Sequence, residues 1–298
     1  MTIRLGIIGL SKGNGHPYSW AAIINGYSPT NMVQCEFPVI PQYLAEQKWP
    51  EARISGAEVT HIWTQSHELS SRVARASLIP NVVASPEAML GHVDAILLAR
   101  DDAENHYDIA KPFIEAGIPI YIDKPVALSL VNLNKLYGLQ QYNGQIFTCS
   151  ALRYASELEL CSEIRERIGQ IRHVQATTPK SWEKYAAHII EPVLRILGKE
   201  DILSAHAFPI AANGRLVIAM FPDDITAVFT AMGENISAPI SIRVHGDRGW
   251  HDLIFSDSFS AFKRALQDFI DGIKTKTCRS PFEFNRRVVT IIEAGIAK

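Results

Sequence analysis

The chain predicts a two-part α/β protein: a parallel sheet with helices on both faces, then an α+β part with an open, mostly antiparallel sheet. Three observations carry this. Between Ile3 and Ala151, short apolar runs of strand length alternate with helical stretches, the order that builds a parallel sheet. From Arg153 onward, several strand-like runs follow one another instead. And 298 residues are too many for most single compact cores, so one domain is expected over 1–150 and a second over 151–298.

Composition narrows the function classes. A hydrophobic share of 47% and a charged share of 20% describe an ordinary soluble globular protein. A formal net charge of −2, without any basic run, argues against nucleic acid as the partner. No segment approaches the roughly 18 uninterrupted apolar residues of a membrane span. The chain enters its first strand at once, so no signal peptide is expected. Cys35, Cys149, Cys161 and Cys278 form no C-x-x-C pair. They read as buried hydrophobes or free thiols in a reducing, cytoplasmic compartment, and no spacing suggests a metal site.

The first strand, Ile3 to Gly9, ends in a glycine-rich stretch, Gly9 to Pro17, of pattern G-x-S-x-G-x-G. Glycines belong here if the backbone must turn tightly and approach a pyrophosphate at a helix amino end. Ser11 replaces the usual second glycine, and Gly13 and Gly15 lengthen the loop; a glycine loop without a ligand fits this stretch alone equally well. Pro17 suits a first helical turn, and Gly26 ends the helix. Residues 28–57 exceed ordinary connections and read as an insertion, with a short helix over Gln42 to Trp49 and a structural rather than catalytic role.

Val59 to Thr64 is the second strand, Ser66 caps the next helix, and Asn81 to Ala84 is a third short strand. Val93 to Leu98 is the fourth. Asp101 or Asp102 is expected to cap the helix carrying His106, with Pro112 kinking it. Helix is expected over Val126 to Tyr142 and strand over Gln145 to Ala151. In the second half, helices are expected over Glu157 to Ile168 and Trp182 to Leu197, with Pro192 able to mark a fresh start. Strands are expected at Ile171 to Thr177, Leu203 to Phe208, Leu216 to Phe221, Ala227 to Met232 and Ile240 to Val244. Asp223-Asp224 and His251-Asp252 read as solvated turns. Phe259 to Ile273 presents one apolar helical face, and Ser280-Pro281-Phe282-Glu283 opens the last helix as a capping box.

The stretch Glu115 to Pro125 organises the rest. A glycine stop at Gly117 leads into a short buried strand and then Asp123-Lys124-Pro125. A lysine at the carboxyl end of a parallel strand sits where open α/β sheets bind ligands; on spacing alone, a surface lysine in a turn is as good a reading. This tripeptide, with Ala116-Gly117 before it, the Val93-Asp94-Ala95-Ile96 strand and His106, resembles the Gfo/Idh/MocA oxidoreductases. The likeness covers most of the chain and is strongest from Glu58 to Leu128.

The resemblance implies a dinucleotide-binding Rossmann-type domain holding NADP or NAD, with Gly9, Ser11, Gly13, Gly15, Thr64, Gln65, Ser66, Arg72, Arg100, His106, Asp123 and Lys124 at the cofactor. In the second domain it implies a D-x-G-x-H-x-x-D stretch, matched here by His188 and Glu191. Lys184 and Ala186 replace its first aspartate and its glycine. His188 is then the acid/base and Lys124 its electrostatic partner, with Lys184 and Tyr185 beside them. The second strand ends in Thr64-Gln65-Ser66-His67 rather than in the acid that binds a ribose 2′-hydroxyl, which leans towards NADP. Two lysines suit an anionic sugar derivative. The expected activity is hydride transfer between nicotinamide and a hydroxyl or keto carbon of a sugar, sugar derivative or polyol, in a homodimer or homotetramer built through the carboxyl-terminal sheet. The rival readings are a hydrolase that reduces and reoxidises bound NAD, and a non-catalytic sensor or scaffold.

Overall fold

A computed structural model describes residues 2–198 and 201–296. In chain order the elements are β1 (Ile3–Ile8), α1 (His16–Asn25), α2 (Pro29–Met32), α3 (Val39–Ala45), β2 (Ala57–Trp63), α4 (His67–Ala76), β3 (Asn81–Val82), β4 (Ala95–Leu98), α5 (His106–Glu115), β5 (Ile120–Ile122), α6 (Leu130–Tyr137) and β6 (Ile146–Thr148). They continue as α7 (Ser162–Ile168), β7 (Ile171–Thr178), α8 (Trp182–Tyr185), α9 (Ala187–Leu197), β8 (Ser204–Ile210), β9 (Gly214–Phe221), β10 (Ile225–Ala231), β11 (Ser241–Gly246), β12 (Trp250–Ile254), α10 (Ser258–Thr275) and α11 (Phe282–Ile296).

Two compact units result. One comprises residues 1–126, 134–148 and 262–281; the other 127–133, 149–261 and 282–298.

The first unit holds a fully parallel sheet of order β3-β2-β1-β4-β5-β6. This is the doubly wound order in which ligands sit at the carboxyl ends of the strands, beside the point where the order reverses. Strands β4 and β5 are apolar throughout because helices cover both faces: all four residues of β4 and all three of β5 are buried. The end of α1 is tied to β2 by the buried Asn25 side chain, which both donates to and accepts from the backbone of Val59 at 2.9 Å. Tyr121 of β5 joins an aromatic cluster, edge-on to Phe147 (4.7 Å between ring centroids) and stacked on Trp20 (4.6 Å).

The insertion is a packed part of this unit. Met32, Ile40, Leu44 and Ile54 are buried, and the Tyr43 hydroxyl donates to Ser19 of α1 at 2.5 Å. Its helix falls at Val39–Ala45 rather than over Gln42 to Trp49. The apolar pair Ile40 and Leu44, one turn apart, sets that position.

The second unit holds a mixed sheet of order β12-β11-β7-β10-β9-β8, antiparallel except for the β10–β7 pair. Strand β10 alternates buried and half-buried residues along its whole length, so one face is core and the other is open. Helices α9 and α11 pack against this sheet. Trp182 is locked to α11, its indole N–H donating to the carbonyl of Ile292 at 2.9 Å.

Several local expectations are corrected. The segment Glu157 to Ile168 is a 3-10 turn at Ser156–Leu158 followed by the separate α7, whose first turn begins after Cys161. The helix expected over Val126 to Tyr142 shortens to α6, and the strand over Gln145 to Ala151 to β6. Neither Asp101 nor Asp102 caps α5; Asp101 pairs with Ser11 and Asp102 with Arg100. Pro192 starts no helix but lies inside α9, where it cannot donate to the carbonyl of His188 four residues back. Asp252 is no solvated turn residue: it stands on β12 in a bidentate pair with Arg243 of β11, at 2.6 and 2.7 Å.

Candidate active site

The glycine loop joins β1 to α1, and the ends of three neighbouring strands hold it. From beyond β2, the Gln65 side chain accepts from the Leu10 N–H at 3.0 Å and donates to the Leu10 carbonyl. From beyond β4, Asp101 accepts from the Ser11 hydroxyl at 2.5 Å, and its own N–H donates back to that hydroxyl at 3.1 Å. From the end of β5, Asp123 accepts from Asn14 Nδ2 at 2.8 Å and meets His16 Nδ1 at 2.6 Å. Ser11, Asn14, Asp101 and Asp123 are all buried.

The glycines are needed for different reasons. A Cβ on Gly9 would stand 2.2 Å from Pro17, and one on Gly15 2.7 Å from Phe37 of the insertion. These two positions close the loop against its neighbours. Gly13 has φ +82° and nothing within 4 Å of its absent side chain, so the turn alone requires glycine there.

This loop fits a dinucleotide pyrophosphate. Among the described residues, the Gly13 and Gly15 N–H groups take no backbone partner, and the ten-residue α1 points its positive end at them.

Asp123 is wholly buried. Burial pushes its carboxyl up, but the His16 charge and hydrogen bond, the Lys124 charge and Asn14 outweigh that and hold it at about 2. Its second oxygen accepts from the Lys124 N–H at 2.8 Å. Lys124 is itself buried, one residue past that carboxylate. His106 braces the same edge: its ring nitrogens meet the carbonyls of Arg100 at 2.8 Å and Val126 at 3.2 Å.

Other expected cofactor residues have local duties. Thr64 is buried and bonds to Ser70 and to the Ser66 carbonyl, while Ser66 caps α4 by accepting from Leu69. Arg100 is paired with Asp102 and reaches the Leu10 carbonyl at 3.4 Å. Arg72, on α4, points its guanidinium towards Glu36 of the insertion at 3.9 Å.

In the second unit, His188 lies near the start of α9, buried. Its Nδ1 meets the Ser150 hydroxyl at 2.7 Å, and the Ser150 N–H donates to Glu191 at 2.7 Å. Arg153, also buried, stands 3.4 Å from the other Glu191 oxygen. The Tyr185 ring lies edge-on to the His188 imidazole, 5.1 Å between centroids, and Lys180 donates to the Tyr185 hydroxyl at 2.5 Å. Lys184 is half-buried at the end of α8; the helix breaks between it and His188, though Ala186 keeps helical dihedrals.

Asn14 and His16 beside Asp123, and Ser150 and Arg153 beside His188 and Glu191, were not expected from the sequence. Asn14 and His16 flank Gly15, and an N-x-H pair closing a glycine loop is a signal only if the acid at the end of β5 is known to be buried. Ser150 and Arg153 carry no sequence signal.

Residues 3–150 match the Gfo/Idh/MocA family model, described as an oxidoreductase family with an NAD-binding Rossmann fold. The chain belongs to this family. Among Gfo/Idh/MocA structures, myo-inositol 2-dehydrogenase from Lactobacillus plantarum superposes with a TM-score of 0.72 at 14% identity, covering 100% of this chain and 98% of that one. The myo-inositol dehydrogenase from Lactobacillus casei in complex with NAD(H) and myo-inositol gives 0.73 at 15% identity, covering 99% and 93%. At such identities the likeness is one of fold. A protein from Amycolatopsis mediterranei, named as a UDP-kanosamine synthase oxidoreductase subunit, is 28% identical over 69 residues. That match spans 23% of this chain and 19% of the relative's length.

Proposed function

We propose that the chain is an NAD(P)-dependent dehydrogenase or reductase acting on a hydroxyl or keto carbon of a sugar, sugar derivative or polyol. The observation that carries this reading is the buried Asp123-Lys124 step at the carboxyl end of β5, bonded through Asn14 and His16 to the glycine loop. Family membership and the sugar and polyol names among its relatives support it.

The nicotinamide supplies or accepts the hydride when bound. The chain's own part is to hold and to move protons. Gly13, Gly15 and the start of α1 would take the pyrophosphate. Lys124 would stabilise negative charge developing on the substrate oxygen. In the tautomer whose Nδ1 donates to Ser150, His188 would use Nε2 as the base for the hydroxyl proton, with Glu191 and Arg153 fixing the Ser150 backbone that orients it. Lys184 adds positive charge that suits an anionic sugar derivative.

NADP is favoured slightly over NAD. Thr64-Gln65-Ser66-His67 rather than a carboxylate stand at the end of β2, and Arg72 on α4 could meet a 2′-phosphate, with Glu36 as its present partner. A homo-oligomer through the second sheet is part of the same reading. The open face carries Phe208 and Met220 towards one edge and Trp250 and Ile254 on the opposite edge strand, each about half exposed.

The test is turnover. Purified protein offered inositols, hexoses and nucleotide-linked sugars should change nicotinamide absorbance stoichiometrically with one of them. A product formed without net change in nicotinamide would instead favour the hydrolase.

A further inference from the structure

Arg153, Arg165 of α7 and Arg195 of α9 share a cavity of about 160 Å³ with one carboxylate, that of Glu159, and with Leu160 and Pro192 among its apolar walls. None of the roles argued above requires three guanidinium groups here. We propose that this cavity is a binding site for a small oxyanion, a phosphate or a carboxylate.

Arg165 and Arg195 are positioned by backbone carbonyls, which fix a guanidinium without neutralising it, while Arg153 is held by the buried carboxylate of Glu191. Arg165 donates from Nε to Leu160 at 3.2 Å and from Nη2 to Ile196 at 2.8 Å. Arg195 donates from Nη1 to the carbonyl of Arg153. Of the charges on the wall, three are positive and one is negative.

That one negative group is weakly held. Glu159 stands 3.5 Å from Arg195 Nη2, and both side chains are about half exposed, so solvent screens the pair. Arg153 is buried and faces Glu191 from behind the wall. Forked donors held in place match the planar or tetrahedral oxygens of an oxyanion, which gains charge-assisted hydrogen bonds without ordering the side chains first. The volume admits a few heavy atoms and excludes a whole nucleotide.

The experiment is isothermal titration calorimetry of the full chain with inorganic phosphate and, in a second arm, succinate. No nicotinamide or sugar is present, so the outcome does not depend on the proposed oxidoreductase chemistry. Saturable binding of at least one anion is expected, and the tighter arm names the chemistry. Arg195→Gln should weaken it about tenfold or more, the scale of one charge-assisted hydrogen bond. Glu159→Gln should tighten it by removing the resident carboxylate, a gain that misfolding does not produce. Arg172→Gln, an exposed arginine on β7, should leave it unchanged. The proposal is overturned if neither anion saturates, if Glu159→Gln binds no tighter than wild type, or if Arg172→Gln loses as much as Arg195→Gln.

Discussion

His16 Nδ1 stands 2.6 Å from Asp123 Oδ2, so the first residue of the helix after the glycine loop is clamped to the residue before Lys124. The His16 ring is held from behind by Trp20, stacked 4.9 Å away at 14°. The loop is thereby tied to the strand end that carries Lys124.

This clamp sets a pH dependence. The folded Asp123 carboxyl sits at about 2, below its unfolded value. A depressed carboxyl contributes stability that is complete above roughly pH 4 and disappears as pH falls through its folded value. A shift of this size is worth about 2 kcal/mol. Asp123→Asn should flatten the fall of stability across that acidic window, measured as urea midpoints at successive pH values. Equal slopes in variant and wild type would remove the clamp's share.

Ser11 ties the loop to Asp101, and both are buried. Ser11→Ala removes a hydroxyl that both donates to and accepts from that residue, and should destabilise by about 1–3 kcal/mol. Chemical denaturation reads this directly; a change below about 0.5 kcal/mol, the range of ordinary surface substitutions, would show the pair to be incidental.

On loop geometry alone, Gly9→Val would obstruct the approach of a pyrophosphate. The packing instead puts the new side chain against Pro17, 2.2 Å from its Cβ. The variant should therefore lose stability, by about 1–3 kcal/mol or more, together with nicotinamide affinity. Lost affinity with an unchanged melting temperature would favour the direct block.

The sheet order was legible because fully buried parallel strands read as unbroken apolar runs, and β4 and β5 do. What stayed hidden depends on pairs distant in sequence. Nothing local says that Asn14 and His16 will meet Asp123, that Gln65 will bond Leu10, or that Arg243 will turn Asp252 into a strand residue. Helix ends misled for a related reason. The segment after Glu157 has a helical charge pattern, but tertiary contacts stop its first turn and restart the helix after Cys161.

The proposed catalytic roles predict distinct kinetics. Lys124→Ala and His188→Ala should each lower kcat/KM by about a hundredfold or more, the low end for losing electrostatic or acid/base help. Lys184→Ala should chiefly raise KM for an anionic substrate, with less effect on a neutral analogue. Full activity of His188→Ala would remove the proposed base, and an unchanged KM in Lys184→Ala would return that lysine to solvent.

The central claim is that Gly13, Gly15 and the start of α1 hold a nicotinamide dinucleotide beside Lys124. Fluorescence titration of purified protein with NADH and with NADPH tests it most directly. The account predicts saturable binding of at least one, NADPH being no weaker than NADH, and loss of that binding when Asp123→Asn releases the loop. A protein that folds and binds neither would contradict the account.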